Sequence, residues 1–146
     1  MPRTAPPQLC ELHAHSTWSD GALDLPALVD LYGGAGFDVL AVTDHVHRSG
    51  ACGISAASFT AYLAAVEAEA ERAATRYGLL VIPGVELTYD DADARRAAHV
   101  LALGLRSFVG LNGGLDAALG EAREKGAALI GAHPYTLAAS AGAPRA

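Results

Sequence analysis

Histidines and acidic residues that lie beside short apolar runs are the side chains of this sequence most able to do chemistry. His13 and His15 are two residues apart, so on a strand both imidazoles point to the same face and can converge on one ion. Asp20, in the turn Ser19-Asp20-Gly21, adds a carboxylate oxygen. Imidazole and carboxylate ligands together are suited to zinc, manganese or iron. The pattern therefore indicates a metal site.

The same pattern recurs further along the chain. Glu86 follows Pro83-Gly84-Val85 and offers a carboxylate that is able to bridge two ions. The candidate metal ligands are His13, His15, Asp20, His45, Glu86, His99 and His133, and Asp44 lies beside them as a candidate catalytic residue. Taken singly, each has an ordinary structural interpretation, such as turn chemistry at Asp20. Their joint recurrence near strands favours the metal site, whereas His47, one step into a loop, is interpreted as loop polarity.

Strands that alternate with helices have to position these residues. We predict strands at 9–15, 37–43, 79–82, 85–89, Ala98–Leu103 and 127–132, with a break at Pro83-Gly84. Helices are predicted from an Asp24 N-cap to Gly33-Gly34, from a Ser58 cap to Gly78, and over 115–125. This alternation predicts an α/β fold with mainly parallel strands, whose carboxyl ends form the active face.

Composition and charge exclude several classes of protein. The chain is 51% hydrophobic and 18% charged, which excludes disorder for most of its 146 residues. No apolar stretch reaches the roughly 18 residues of a membrane span, and residues 1–7 contain no apolar signal region, so we expect a cytoplasmic protein. A net charge of −6 without a basic run disfavours extended nucleic-acid binding. Cys10 and Cys52 belong to no zinc or disulfide pattern.

Five motifs, taken together and in order, resemble the PHP (polymerase and histidinol phosphatase) domain family. They are His13-Ala14-His15-Ser16 with Ser19-Asp20-Gly21, Thr43-Asp44-His45, Pro83-Gly84-Val85-Glu86, His99-Val100-Leu101-Ala102-Leu103-Gly104, and Ala132-His133-Pro134. The resemblance implies a distorted (β/α)7 barrel, of which this chain would be the N-terminal part. It also implies a centre of two or three Zn, Mn or Fe ions that hydrolyses a small phosphorylated metabolite or nucleotide.

The resemblance further implies which residues hold which ion. His13, His15 and Glu86 would hold the first ion, and Glu86 would bridge to a second ion held by His99 and His133. Asp20 and His45 would hold a third. Asp44 would support the ligands or handle a proton.

The sequence also departs from the family, because no Asp-x-His motif follows His133 and a complete βα-barrel typically needs about 250 residues. We therefore expect a flexible arm at 1–8, an incomplete PHP domain at 9–135 and an unstructured tail at 136–146. The alternative function is a non-catalytic metal-binding fragment that needs missing segments or a partner chain. An amidohydrolase-type enzyme shares the His-x-His pair but needs a carboxylated lysine, and Lys125 is the only lysine. The oligomeric state stays open.

Overall fold

The computed structural model describes residues 8–48, 52–93 and 96–133. These residues form six strands and three helices. The strands are β1 (Cys10–Ala14), β2 (Val39–Val42), β3 (His45–His47), β4 (Leu80–Tyr89), β5 (Ala98–Leu103) and β6 (Ala128–Gly131), and the helices are α1 (Leu25–Gly34), α2 (Phe59–Tyr77) and α3 (Leu115–Glu124). The predicted tail and all but the last residue of the predicted arm lie outside the described residues, as does Pro134.

The strands form one curled sheet in the order β1-β2-β4-β5-β6, and β3 pairs with the second half of β4. β1 pairs in parallel with β2, and both β2 and β3 pair in parallel with β4. β5 runs antiparallel to both β4 and β6. The mainly parallel α/β fold, in the form of a partial barrel, is thereby confirmed. It places the ends of β1, β4 and β6 and the beginning of β5 at one edge of the sheet.

The two faces of the sheet differ because successive side chains on a strand point to opposite sides. Leu40, Val42 and Val85 belong to a large apolar cluster that packs against the helices. Ala41 and Leu101, which alternate with members of that cluster along their strands, belong to a small second cluster with Leu103 and Ala132. We call the helix-covered side the outer face and the opposite side the inner face. By the same alternation, Glu86 and His99 lie on the inner face.

Local signals explain where the first two helices begin and end. The Asp24 carboxylate accepts a hydrogen bond from the Ala27 backbone N–H, so the predicted N-cap of α1 is confirmed. Gly78 ends α2 in the left-handed conformation with φ of 68°, as predicted. Ser58 is the N-cap residue of α2, as predicted, but capping by its side chain is wrong, because its hydroxyl accepts from the Ser55 N–H and makes no bond to the helix. Within the described ranges, no helix combines the length and the apolar character needed to cross a membrane.

The predicted break at Pro83-Gly84 is also wrong, since β4 runs without interruption from Leu80 to Tyr89. Its partners change there instead: Pro83 pairs with Val42 of β2, and Gly84 pairs with Leu103 of β5. A Cβ on Gly84 would lie 2.9 Å from the Ala102 carbonyl oxygen, so glycine permits this close approach. The strand therefore continues past β2 and carries Glu86 to the edge of the sheet.

Candidate metal centre

Strand direction decides which residues meet at the edge of the sheet. His13 lies near the end of β1 and His15 directly follows that strand, as His133 follows β6 by two residues. His99, in contrast, is the second residue of β5. Because β5 is antiparallel, its beginning rather than its end lies beside Glu86. The expected active face at the carboxyl ends of parallel strands therefore does not account for His99, which lies at the beginning of an antiparallel strand and still reaches the same place.

Glu86 is the centre of the arrangement, and its side chain is completely buried. Each of its two carboxylate oxygens faces a different group of imidazoles. Oε2 lies 3.2 Å from His13 Nε2, 3.3 Å from His15 Nε2 and 3.1 Å from His45 Nδ1, whereas Oε1 lies 2.9 Å from His99 Nδ1 and 3.2 Å from His133 Nε2. Five of the six histidines therefore surround one carboxylate.

Donor atoms from the seven candidate ligands form three overlapping groups, and within each group the atoms lie within 4.8 Å of one another. The groups are His13, His15 and Glu86; His15, Asp20 and His45; and Glu86, His99 and His133. Two of them have the composition that the resemblance implies for the first and second ions. The third group adds His15 to the implied pair. His15 and Glu86 are each shared, so ions at neighbouring groups would have a common ligand.

The chemistry of these donors fits divalent cations. His99 Nδ1 is buried and has no hydrogen-bond partner, although it lies 2.9 Å from the Glu86 oxygen. A buried polar atom without a partner is costly, and a cation beside it would remove that cost. Nitrogen and oxygen donors in sets of three also match the ligand sets of catalytic zinc, which leave a further position open. The residues therefore fit a metal centre.

Protonation in the cluster follows from its crowding. Burial raises the pKa of the Glu86 carboxyl, but hydrogen bonds from His15 and His13 outweigh burial and hold this pKa far below its usual value. Burial lowers the pKa of His15, yet its contact with Glu86 raises that pKa overall. Burial lowers the pKa of His45. Without ions the Glu86 carboxylate is thus charged, and binding of a cation at an imidazole nitrogen requires that nitrogen to carry no proton.

Asp44 lies beside this cluster but directs its carboxylate elsewhere. Its oxygens accept hydrogen bonds from the Ser16 backbone N–H at 2.9 Å, the Ser16 hydroxyl at 2.8 Å and the Ser19 hydroxyl at 2.7 Å. A Cβ on Gly21 would lie 2.2 Å from the His15 carbonyl oxygen, so the turn closes tightly on itself. Asp44 and Gly21 together fix the turn that presents Asp20 to His15 and His45, each 3.5 Å away.

Three residues around the cluster are absent from the predicted set of site residues. His47 lies in strand β3 rather than in a loop, because residues 45–47 pair with β4, and its ring centroid is 4.8 Å from that of His45. The His45-Val46-His47 spacing repeats that of His13 and His15 and could have indicated this strand. Thr88 contacts His45, and Asp90 contacts His99. Glu86, Thr88 and Asp90 are two residues apart from one another, so along a strand their side chains point to the same face. This spacing was the sequence signal that could have placed Thr88 and Asp90 beside Glu86.

Lys125, the only lysine, is bonded to the Phe108 carbonyl oxygen and to Glu121. Lys125 therefore takes no part in the cluster. The cluster thus lacks the carboxylated lysine that the amidohydrolase alternative needs. Cys10 and Cys52 are free and exposed.

Comparison with known proteins identifies the family. The PHP domain profile matches residues 11–132, and the chain belongs to the PHP domain family. A two-domain protein from Bacteroides vulgatus, described as containing a predicted PHP-like metal-dependent phosphoesterase, is 27% identical with a TM-score of 0.59 and is matched over 84% of this chain and 36% of its own. An amidohydrolase from Chromobacterium violaceum, solved with sulfate and no metal, is 27% identical with a TM-score of 0.47, over 79% of this chain and 32% of its own.

The chain thus spans about a third of the length of these solved structures. A search among curated proteins found no match.

Proposed function

We propose that this chain forms the metal-binding part of a phosphoesterase that hydrolyses a small phosphorylated metabolite or a nucleotide with two or three Zn, Mn or Fe ions. The observation that carries the proposal is the buried Glu86, whose two oxygens face separate sets of histidines. Family membership and the Bacteroides vulgatus protein support it, because that protein is described as PHP-like and metal-dependent.

Divalent ions, when bound, supply activation of water and neutralise charge on phosphate oxygens. The chain itself contributes a fixed set of imidazole and carboxylate donor atoms, together with the negative charge of the buried Glu86 carboxylate. Glu86 is held in place by its burial and by hydrogen-bond contacts with His13 Nε2 at Oε2 and with His133 Nε2 at Oε1. The ligand assignments from the resemblance remain proposals, with His15 added to the group of Asp20 and His45.

Asp20 and Asp44 have different roles in this proposal. The Asp20 side chain is 67% exposed and lies at the rim, so its group is open to a phosphate that arrives from solvent. Asp44 is fully buried, and its hydrogen bonds from Ser16 and Ser19 occupy both oxygens. We propose that Asp44 positions the turn that carries Asp20, rather than handling a proton itself.

Hydrolysis of p-nitrophenyl phosphate and of nucleotide 3′,5′-bisphosphates, with added manganese or zinc, tests the proposal. We expect turnover that depends on the added ion and is lost in Glu86→Gln. Glu71→Gln on the exposed side of α2 is the matched control and keeps wild-type turnover.

The alternative is a metal-binding domain that needs further protein segments or a partner chain for turnover. The observation that favours it is that this chain matches about a third of the length of the Bacteroides vulgatus protein. Bound ions without hydrolysis of any substrate would support this alternative. Absence of both bound ions and hydrolysis would overturn both proposals.

A further inference from the structure

The outgoing end of β4 carries polar residues at every second position. Glu86 and Thr88 lie within the strand, and Asp90 follows it directly. Glu86 is a candidate metal ligand. Thr88 and Asp90 each contact one ring nitrogen of a candidate ligand that comes from a different strand. One strand therefore contacts the histidines that β3 and β5 contribute.

Thr88 determines which nitrogen of His45 carries the proton. The Thr88 hydroxyl donates its single hydrogen to the Glu86 backbone carbonyl at 3.2 Å, so toward His45 Nδ1, 2.6 Å away, it acts as the acceptor. This contact favours a hydrogen on Nδ1. The His45 Nε2 lone pair is then free, 3.5 Å from Asp20 Oδ2.

Asp90 has the opposite effect on His99. A carboxylate only accepts hydrogen bonds, so the 3.2 Å contact between Asp90 Oδ1 and His99 Nε2 places the hydrogen on Nε2. In the neutral ring Nδ1 is then left as a lone pair, which agrees with the lack of a hydrogen-bond partner for this buried atom beside Glu86 Oε1. In metal sites, the nitrogen that does not bind the ion commonly donates to a carboxylate or another oxygen, and this contact fixes the tautomer.

We infer that Thr88 and Asp90 are positioning residues that hold His45 and His99 in opposite tautomers, so that Nε2 of the former and Nδ1 of the latter face the ions. This inference rests on the proposed metal centre. Neither residue touches the ions itself; each acts through the histidine that it orients. Thr88 is buried, whereas the Asp90 side chain is 70% exposed at the rim.

Zinc affinity, measured by competition with a chromophoric chelator, tests the inference on the full chain. Thr88→Val removes the hydroxyl at nearly constant shape, and Asp90→Ala removes the carboxylate. We expect each to weaken zinc binding about 10–100-fold, as is typical when such a supporting contact is lost.

Two matched controls separate positioning from other effects. Thr88→Ser keeps the hydroxyl and is expected to restore affinity to within about threefold of wild type, well inside the loss typical of a removed supporting contact. Asp91→Ala removes the same charge at the next residue. The Asp91 side chain pairs with Arg96 rather than with a candidate ligand, so this variant reports any general effect of charge. Thr88→Val or Asp90→Ala with wild-type affinity would overturn the inference for that residue.

The tautomers themselves give a readout that needs no bound ion. Long-range ¹H–¹⁵N NMR spectra of the ion-free chain at neutral pH should show His45 protonated on Nδ1 and His99 on Nε2. Each assignment should be lost in the corresponding variant. The opposite tautomers in the wild type would overturn the inference, even if zinc binds. If the wild type shows these tautomers but neither it nor Glu86→Gln binds zinc, the proposed function is overturned and the tautomer assignment is not.

Discussion

The outer and inner faces of the sheet use the same strands for different purposes, and β4 shows the contrast from one residue to the next. Val85 and Leu87 point outward into the large apolar cluster, and both are completely buried. Glu86 and Thr88, between and after them, point inward to the histidines. The outer face is covered by helices, whereas the small inner cluster contains four buried residues, Ala41, Leu101, Leu103 and Ala132.

The difference separates what stabilises this fold from what equips it for chemistry. On the outer face, apolar side chains pack against one another, and their burial stabilises the fold. On the inner face, His99 Nδ1 lacks a partner and one carboxylate serves five imidazoles. Under the proposed function, bound cations rather than further protein contacts would satisfy such a cluster. We therefore expect outer-face variants to change stability and inner-face variants to change ion binding.

Leu87→Ala should have the largest effect on stability. Removing a completely buried leucine from the outer face leaves a cavity, which typically costs about 2–5 kcal/mol of unfolding free energy. Urea unfolding measures this loss. Leu80→Ala on the same strand is the control, because Leu80 is 57% exposed and its loss should cost less than about 0.5 kcal/mol. Equal costs for the two variants would contradict the assignment of the outer face.

Glu86→Gln should have the largest effect on ion binding. The amide keeps the shape of the side chain but removes the negative charge that two of the three donor groups share. We expect zinc affinity to fall by more than about 100-fold, or about 2.7 kcal/mol. Chelator competition measures it, with Leu80→Ala as the unaffected reference. If Glu86→Gln binds zinc as tightly as the wild type, the claim that the inner face is the ion-binding face is contradicted.

Alanine substitutions of two adjacent glycines in α1 should have smaller effects on stability, and the two effects should have opposite signs. A Cβ on Gly33 would lie 2.4 Å from Cδ2 of the Tyr77 ring, whereas one on Gly34 would meet nothing within 4 Å. Gly34→Ala should therefore stabilise the chain by up to about 1 kcal/mol through helix propensity. Gly33→Ala should destabilise it. Denaturant midpoints of the two variants compare them directly, and a gain in both would contradict the packing of Tyr77 on α1.

The smallest expected effect depends on pH. Hydrogen bonds from Arg72 and Tyr77 hold the pKa of the Asp30 carboxyl below its usual value. Because the folded pKa is the lower one, this contribution to stability is present at neutral pH and is lost as the pH falls through that value. The Tm of Asp30→Asn should lie slightly below that of wild type at pH 7. The gap should narrow below about pH 3.9, and a gap that is constant with pH would contradict this.

Most of the site could be predicted because its residues carry their signal locally. The His13-x-His15 spacing, the turn around Asp20 and the Pro83-Gly84-Val85-Glu86 segment are visible in the sequence, and the structure brings these residues together. The N-cap at Asp24 and the bounds of β5 follow from equally local rules. The ligand roles themselves remain predictions.

The direction of β5 was not predicted, because strand direction is decided by pairing rather than by the strand's own residues. The connection from Tyr89 to Ala98 did contain a signal, since eight residues are too few for the crossover that parallel strands need. The short strand β3 depends on its partner β4, and the alternation His45-Val46-His47, the one local sign of it, covers only three residues. Asp90 was overlooked for the same reason, because its contact with His99 exists only through the antiparallel pairing.

The number of ions bound per chain tests the central claim most directly. Equilibrium dialysis of the chelator-treated chain against zinc or manganese, followed by elemental analysis, measures that number. The account predicts two or three ions on the wild type, one fewer on Asp20→Ala, and a loss of those that depend on Glu86 in Glu86→Gln. Fewer than two ions on the wild type, or the same number on all three proteins, would contradict it.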